Sequence, residues 1–450
     1  MSRVLFSTLG MTDPIRYDFD GPLLHILRYY QPEKVYLFMT KRVCELADLD
    51  DRYRKSINRL CREKDFPCEI IELRYEEIDN PQLFDIFYPI FEKELIAIYE
   101  ANPGSQILVN LSSGTPQMKS ACQLVALTAP FPVLPIQVTT PNERENYGIS
   151  NFELETFWQN NIDNHAELGS KNRCLEVESN NLRYLFLREA AISHLKSYDY
   201  NAALDVLKTV QTFVSEDALH LLEAAKHRKN MELRQAQVLA NRVDYDLFPI
   251  KSSDVIDLFE YLLRLSLQQK TGELIEFVRG ISPALTSLFE NFLKVKCQRK
   301  VIQDYCYEAP RGSGYFKLSR SKLQKEAELL AHYDREFGSP YKDSYLSCAT
   351  LLPMITFDCG PRGRNPDQNV VTRVQLMRAV EERIRNYAAH NIGAVTEEQF
   401  VKETGISSGK LLQHMFWMFK YTFPQLFKEE GDEWNSYDKM NIEIIRRLKR

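Results

Sequence analysis

The feature that most constrains this chain is a change of hydrophobic rhythm about a third of the way along it. Residues 3–7, 34–39, 68–73, 106–110 and 133–138 are short runs rich in β-branched or aromatic residues. Helical patterns separate them, including residues 22–27 and 83–99. Parallel strands need long crossovers, so the alternation predicts an α/β Rossmann-like open sheet covered on both faces, over residues 1 to about 140.

Beyond that point the rhythm becomes helical. Polar residues 140–146 lead into sequence that reads as weakly structured through Trp158 to Asn181, the best linker candidate. From Leu182 onward no strand run stands out. Ala190, Ala191, His194 and Leu195, then Ala202, Ala203 and Leu207, recur at helical spacing around Tyr198-Asp199-Tyr200. They predict one helical hairpin resembling a tetratricopeptide unit, without the period of a solenoid. Pro249 and residues 251–254 punctuate the chain again, with Ser253 or Asp254 positioned to cap the next helix. The rest reads as helical, broken at 310–314 and 359–366. The expected plan is an α/β Rossmann-like N-terminal domain (1–165), then an all-α middle (166–250) and an all-α C-terminal domain (251–450).

Charge and cysteine content narrow the function classes. Lys+Arg 57 against Asp+Glu 62 leaves a net charge of −5, so no global basic field recruits nucleic acid, and any such contact needs a local patch. Cys 9 with no C-x-x-C spacing indicates neither a disulfide framework nor a structural zinc site, and fits a reducing compartment. The N-terminal residues lack the apolar core of a signal peptide, and no apolar stretch is long enough for a membrane span. The expected location is cytoplasmic, with no membrane partner.

Two strand-to-helix loops stand out in the head, where open α/β sheets hold ligands. The first is Ser7-Thr8-Leu9-Gly10-Met11-Thr12-Asp13-Pro14; the second is Asn110-Leu111-Ser112-Ser113-Gly114-Thr115-Pro116-Gln117-Met118-Lys119. The second opens a helix with Pro116 at its first position. Free backbone N–H groups and the helix dipole there favour an anion, with nucleotide phosphate the natural guess. Neither loop is G-x-G-x-x-G or a Walker phosphate loop, which argues against a dinucleotide oxidoreductase or an NTPase. The same residues also suit plain tight turns.

The strongest amphipathic helix spans residues 370–390. Val370, Val374, Met377, Val380, Ile384 and Tyr387 step by threes and fours as a buried stripe. It ends in Arg385-Asn386-Tyr387-Ala388-Ala389-His390, with Asn391-Ile392-Gly393 as a stop and Thr396-Glu397-Glu398-Gln399 as a capping box. Asn386 and His390 share a face. A His near a helix C-terminus exchanges protons near neutral pH. An Arg holds a phosphate and stabilises a developing phosphorane. Those groups suffice for metal-free RNA cleavage, in which the 2′-hydroxyl attacks its own phosphate. Arg-x(4–6)-His is weak by itself: Arg188 to His194 repeats it by chance. A solvated helix face ending in a capping His is the competing reading.

Taken together, the two head loops and the helical tail carrying Arg385-Asn386…His390 resemble the CARF–HEPN ribonucleases of type III-A CRISPR systems (the Csm-six family). The resemblance covers the whole chain in domain order: CARF head, helical linker domain, HEPN tail. It implies a homodimer whose paired CARF domains bind a cyclic oligoadenylate made by the CRISPR surveillance complex, hexa-adenylate favoured over tetra-adenylate. That activator switches on a composite HEPN site between protomers, which cuts single-stranded RNA to 2′,3′-cyclic phosphate ends without a metal or cofactor. Some members also cleave their activator in the CARF domain. No stable association with the surveillance complex is expected. Carried over by position, Arg385 and His390 match the catalytic pair, and Asn386 the polar residue beside it. Thr8, Gly10 and Asp13 match the activator-facing rim, as do Asn110, Ser112, Ser113, Gly114, Thr115 and Gln117. Thr115 is the candidate hydroxyl for ring cleavage.

Nine basic residues from Lys294 to Lys325, Arg299, Lys317 and Arg320 among them, face only Asp304 and Glu308. Tyr305, Tyr307, Tyr315 and Phe316 are interleaved and could stack on bases; a solvated helix face with a mobile basic loop explains the stretch equally well. Two rivals stand beside the ribonuclease. One is a ligand-gated DNA-binding regulator, with residues 397–414 read as helix-turn-helix, although Met415-Phe416-Trp417-Met418-Phe419 is too apolar for a major groove. The other is a helical scaffold without catalysis.

Overall fold

The structure is a computed structural model. It describes the chain apart from residues 1, 17, 141–151, 166–170, 179, 391–393 and 429–431, and apart from the side chains of 180, 181, 389 and 390. Two compact units, Met1–Phe186 and Leu187–Arg450, make up the chain.

The first unit begins with β1 (Arg3–Thr8), the short hairpin β2 (Ile15–Arg16) and β3 (Phe19–Asp20), and α1 (Pro22–Tyr30). β4 (Lys34–Thr40), α2 (Lys41–Asp50), α3 (Arg52–Lys64) and β5 (Glu69–Tyr75) follow. Then come α4 (Phe87–Ala101), β6 (Gln106–Asn110), α5 (Pro116–Thr128), β7 (Val133–Val138), α6 (Leu154–Gln159) and β8 (Cys174–Glu176). The sheet runs β5-β4-β1-β6-β7-β8, parallel except for β8, which pairs antiparallel with β7. Period-2 alternation divides its side chains between two cores. Leu5, Leu37 and Leu108 pack with Leu24 and Ile57 on one face. Phe6, Phe38 and Val109 pack with Phe91 and Met118 on the other.

All five expected strands are present, and the register carries β1 and β6 to the same edge, with Ser7 opposite Asn110. That pairing brings the two rim loops together. The weakly structured reading of residues 158–181 is corrected by the described part of that segment. α6 and β8 belong to the first unit, Trp158 is 3% exposed, and its Nε1 donates to Glu63 at 2.9 Å. Polar sequence hid this element because its order comes from distant partners.

The chain then forms α7 (Asn180–Lys196), α8 (Tyr200–Lys208), α9 (Glu216–Lys229), α10 (Leu233–Arg242), α11 (Ile256–Lys270) and α12 (Leu274–Lys296). α7 and α8 are helices where the hairpin was expected, with Tyr198 in the left-handed region between them (φ 57°), and α8 packs on α9. The expected cap at Ser253 or Asp254 is absent: α11 starts at Ile256 with no side-chain cap. α13 (Val301–Tyr305), β9 (Cys306–Glu308), β10 (Phe316–Leu318), α14 (Arg320–Leu323), α15 (Ala327–Glu336) and β11 (Ser344–Tyr345) come next. The chain continues with α16 (Cys348–Cys359), α17 (Gln368–His390), α18 (Glu397–Thr404), α19 (Ser408–Thr422) and α20 (Ser436–Leu448).

The all-α expectation for the tail is corrected by the antiparallel sheet β11-β10-β9. Its strands are two or three residues long, too short for a period-2 signal in sequence. α12 is the central pillar, packed against α11, α16, α17 and α19. In the same unit the fully buried Arg228 pairs with the fully buried Glu260 (Nε–Oε2 2.7 Å), linking α9 to α11, and also donates to Ser436 of α20.

Candidate functional site

In the head, β1 and β6 deliver the two loops side by side, and a dense set of hydrogen bonds locks them. Thr8 Oγ1 donates to the Ser113 carbonyl (2.7 Å). Asn110 Nδ2 donates to the hydroxyls of Ser7 (2.9 Å) and Ser113 (2.8 Å), while its Oδ1 accepts from Ser112 N (2.8 Å). Ser112 Oγ accepts from Val138 N (2.7 Å). A Cβ on Gly10 would stand 2.8 Å from Gly114 N, and Gly114 has φ +86° with Thr8 Oγ1 in the way of any side chain. Glycine is therefore required at both positions.

Of the expected rim residues, Thr8, Asp13, Asn110 and Ser113 are buried, whereas Gly10, Ser112, Gly114, Thr115 and Gln117 are half-buried. The buried four shape the loops and the other five reach their surface. Asp13 accepts from Gly10 N and Leu23 N, both at 3.1 Å. Burial pushes its carboxyl up to about 6, against those hydrogen bonds and the Lys119 charge. Thr115 is the N-cap of α5: it accepts from Met118 N (3.3 Å) and donates to the Pro81 carbonyl (2.9 Å). Pro116 opens the helix as expected. Half-buried Lys119, within the charge field of Asp13 and Arg16, adds a cation beside the loops that the carried-over positions omitted.

Under this rim lies a network that local sequence did not signal. Asp20, His25 and Asp163 converge with metal-ligand spacing. Each carboxylate is answered by an arginine: Arg28 Nε sits 2.6 Å from Asp20, and Arg173 Nη2 2.7 Å from Asp163. Burial opposes ionisation of Asp163, yet the His25 ring and Arg173 hold it down to about 2. Two acids against two guanidiniums balance in charge, so the cluster acts as a tie between α1 and the segment after α6.

In the tail, Val370, Val374, Met377, Val380 and Ile384 form the expected buried stripe of α17, with Tyr387 half-buried. Arg385 and Asn386 point away from it and are exposed. His390 is the last residue of α17; its side chain, and the expected stop at 391–393, lie outside the described residues. Thr396 and Gln399 form the expected capping box of α18.

Sequence reading missed Glu381, one turn before Arg385. Its side chain is 1% exposed and accepts from Arg378 Nη1 (2.7 Å) and from the Ser282 hydroxyl of α12. Arg385 Nη1 lies 3.3 Å from the same carboxylate. The spacing Glu-x-x-x-Arg was visible, but not the burial that makes it rigid.

The basic stretch separates into two kinds of residue. Arg299 is buried, with Nη2 2.7 Å from Asp358 and Nη1 3.0 Å from Glu326, and Arg320 pairs with Asp334. Their place on an RNA-guiding surface is corrected: both hold the fold. Tyr305 is buried as well, whereas Tyr307 and Tyr315 are exposed. As for the helix-turn-helix rival, Gly405 (φ 81°) turns α18 into α19, but Leu411, Leu412, Met415, Met418 and Phe419 of α19 are buried against α11, α12 and α17.

Family models match in the same order: a Cas_Csm6 CARF domain over residues 67–174, a Csm6 6H domain over 177–229 and a Cas_Csm6 HEPN domain over 247–445. A CRISPR system endoribonuclease Csm6 of Enterococcus italicus is 30% identical over 419 residues, covering 87% of this chain and 89% of that protein. The chain belongs to the Csm6 family. A second Csm6 relative, from Mycobacterium tuberculosis, is 29% identical over 99% of this chain and 98% of its own length. The solved structure of Enterococcus italicus Csm6 bound to cyclic hexa-2′-fluoro-hexa-dAMP shares the fold, with a TM-score of 0.72 and 20% identity over 99% of this chain and 100% of that one. The Csm6 CARF match includes the second rim loop, and the Csm6 HEPN match includes Glu381, Arg385 and Asn386. Among the described residues no helix is long and apolar enough to cross a membrane.

Proposed function

We propose that this chain is a CRISPR type III endoribonuclease switched on by a cyclic oligoadenylate. The head, read as Rossmann-like over residues 1–165, takes the activator on the surface formed by Gly10, Ser112, Gly114, Thr115 and Gln117, with Thr8, Asp13, Asn110 and Ser113 shaping it from below. Backbone N–H groups at the start of α5 and the nearby Lys119 suit its phosphates. Cyclic hexa-adenylate is the activator we assign. The link to a HEPN tail over 251–450, read from sequence as 166–250, begins only beyond β8, which pairs with β7 of the head sheet.

In the tail, Arg385 clamps the scissile phosphate and stabilises the phosphorane, His390 moves the proton of the attacking 2′-hydroxyl, and Asn386 orients the backbone of single-stranded RNA. The 2′-oxygen bonds to phosphorus as the bond to the 5′-oxygen breaks and that oxygen takes up a proton, giving a 2′,3′-cyclic phosphate and a 5′-hydroxyl with no metal in the step. One chain supplies one clamp and one proton shuttle, so a two-fold homodimer that pairs α17 with its copy supplies both sets. Ring cleavage by the head, which would limit the response, is assigned to the Thr115 hydroxyl.

The observation that carries this reading is Arg385, exposed on α17 yet tethered to a buried carboxylate, within a HEPN-matching region. The test is cleavage of a fluorescent single-stranded RNA with a panel of cyclic adenylate rings, with and without EDTA. Cleavage should require a ring, be strongest with the six-membered one and survive EDTA. Intact RNA under every ring would refute the reading.

A further inference from the structure

We propose that the outer face of the β11-β10-β9 sheet is a stacking platform for single-stranded RNA, formed by Tyr307, Lys317 and Tyr345. The register sets Lys317 directly opposite Tyr307 on one side and Tyr345 on the other, so the three side chains stand in a row on one face. The neighbouring positions Cys306 and Leu318 point the other way, into the core. Tyr307 is 39% and Tyr345 53% exposed, large apolar rings left in water by a sheet that buries its other side. Lys317 Nζ lies 4.7 Å from the Tyr345 ring centre, so the ammonium already rests against one of the two rings.

Charge selects the occupant. The nearby carboxylates are engaged internally: Glu308 accepts from Gly314 N (2.6 Å) and Asp343 from Arg320 N (2.8 Å). Lys317 stands between the rings, and exposed Arg311 and Lys342 flank the sheet. Two aromatic faces two strand spacings apart, about 10 Å, with an ammonium between them match a base, a phosphate and another base. A duplex keeps its base faces stacked inside and offers nothing to the rings. The platform rests on the ribonuclease reading, for which it supplies a hold on the substrate away from Arg385. Sequence alone pointed to Tyr307 but not to Tyr345, which comes from a strand nearly forty residues later.

The test is fluorescence anisotropy with a labelled single-stranded 2′-O-methyl RNA, which the enzyme cannot cut because the attacking hydroxyl is blocked. Kd should rise about tenfold in Tyr307→Ala/Tyr345→Ala and recover in Tyr307→Phe/Tyr345→Phe, since stacking needs the ring and not the hydroxyl. Recovery in the Phe variant also excludes misfolding as the cause. Lys317→Ala should lower the salt dependence of binding. Equal affinity of wild type and the Ala variant, or equal losses in the Ala and Phe variants, would overturn the platform. Wild-type protein that binds this RNA through the rings but never cuts unmodified RNA would sink the ribonuclease reading and leave the platform standing.

Discussion

The Glu381 carboxylate, almost wholly buried, lies 3.3 Å from the guanidinium of Arg385 one turn later on the same helix. Its other contacts, Arg378 and Ser282, keep it from following Arg385 outward, so the exposed guanidinium has a fixed anchor. Glu381→Gln keeps the shape and removes the charge. It is expected to lower kcat for RNA cleavage about tenfold, with a stability loss of about 1–3 kcal/mol from the buried hydrogen bonds. Single-turnover cleavage and urea unfolding measure the two effects separately.

Arg385→Ala and His390→Ala should each cut cleavage by at least about a hundredfold at saturating activator, while activator binding by the head stays at the wild-type level. Arg385→Lys should recover little, because an ammonium cannot grip phosphate with a planar fork. Wild-type rates in either alanine variant would remove these residues from the site.

Thr115 has a structural duty as well as its proposed chemical one. Thr115→Ala removes the α5 cap and should lower head stability by about 1 kcal/mol. It should also lengthen the life of a bound cyclic adenylate, followed by chromatography of the ring and its linear product. Thr115→Ser keeps both cap and hydroxyl, and should behave as wild type in both measurements. An unchanged decay rate in the alanine variant would remove Thr115 from ring cleavage.

Asp13 makes the head sensitive to mild acid in an unusual direction. Its folded carboxyl titrates near 6, above the ordinary 3.8, so between those values the folded state binds more protons than the unfolded one. Its contribution therefore favours the fold at low pH and is lost as pH rises through about 6. Asp163, held near 2, acts oppositely and contributes stability that disappears as pH falls from about 4 towards 2. The difference in unfolding free energy between wild type and Asp13→Asn, measured from pH 4 to 7, should shift against the wild type by up to about 3 kcal/mol. A flat difference would place the Asp13 titration elsewhere.

Arg228 and Glu260 test the frame of the tail. Glu260→Ala leaves a buried guanidinium without its carboxylate and should cost about 3–5 kcal/mol, read by urea unfolding. Adding Arg228→Met to Glu260→Leu should recover most of that loss, because it removes both charges and keeps the volume.

Local pattern determined much of this protein. Short runs rich in β-branched and aromatic residues marked the five parallel strands, glycine and hydroxyl residues marked the two rim loops, and the stripe from Val370 to Ile384 oriented α17 so that Arg385 faces outward. These are properties of a few successive residues, set by backbone geometry and by which side chains avoid water. Tertiary structure alone decided the partners. Ser282 meets Glu381 across 99 residues, Asp163 answers His25 of the first helix, and Tyr345 joins Tyr307 through a third strand. No periodicity encodes such pairs, because each depends on where the packing of whole helices and strands brings a side chain to rest.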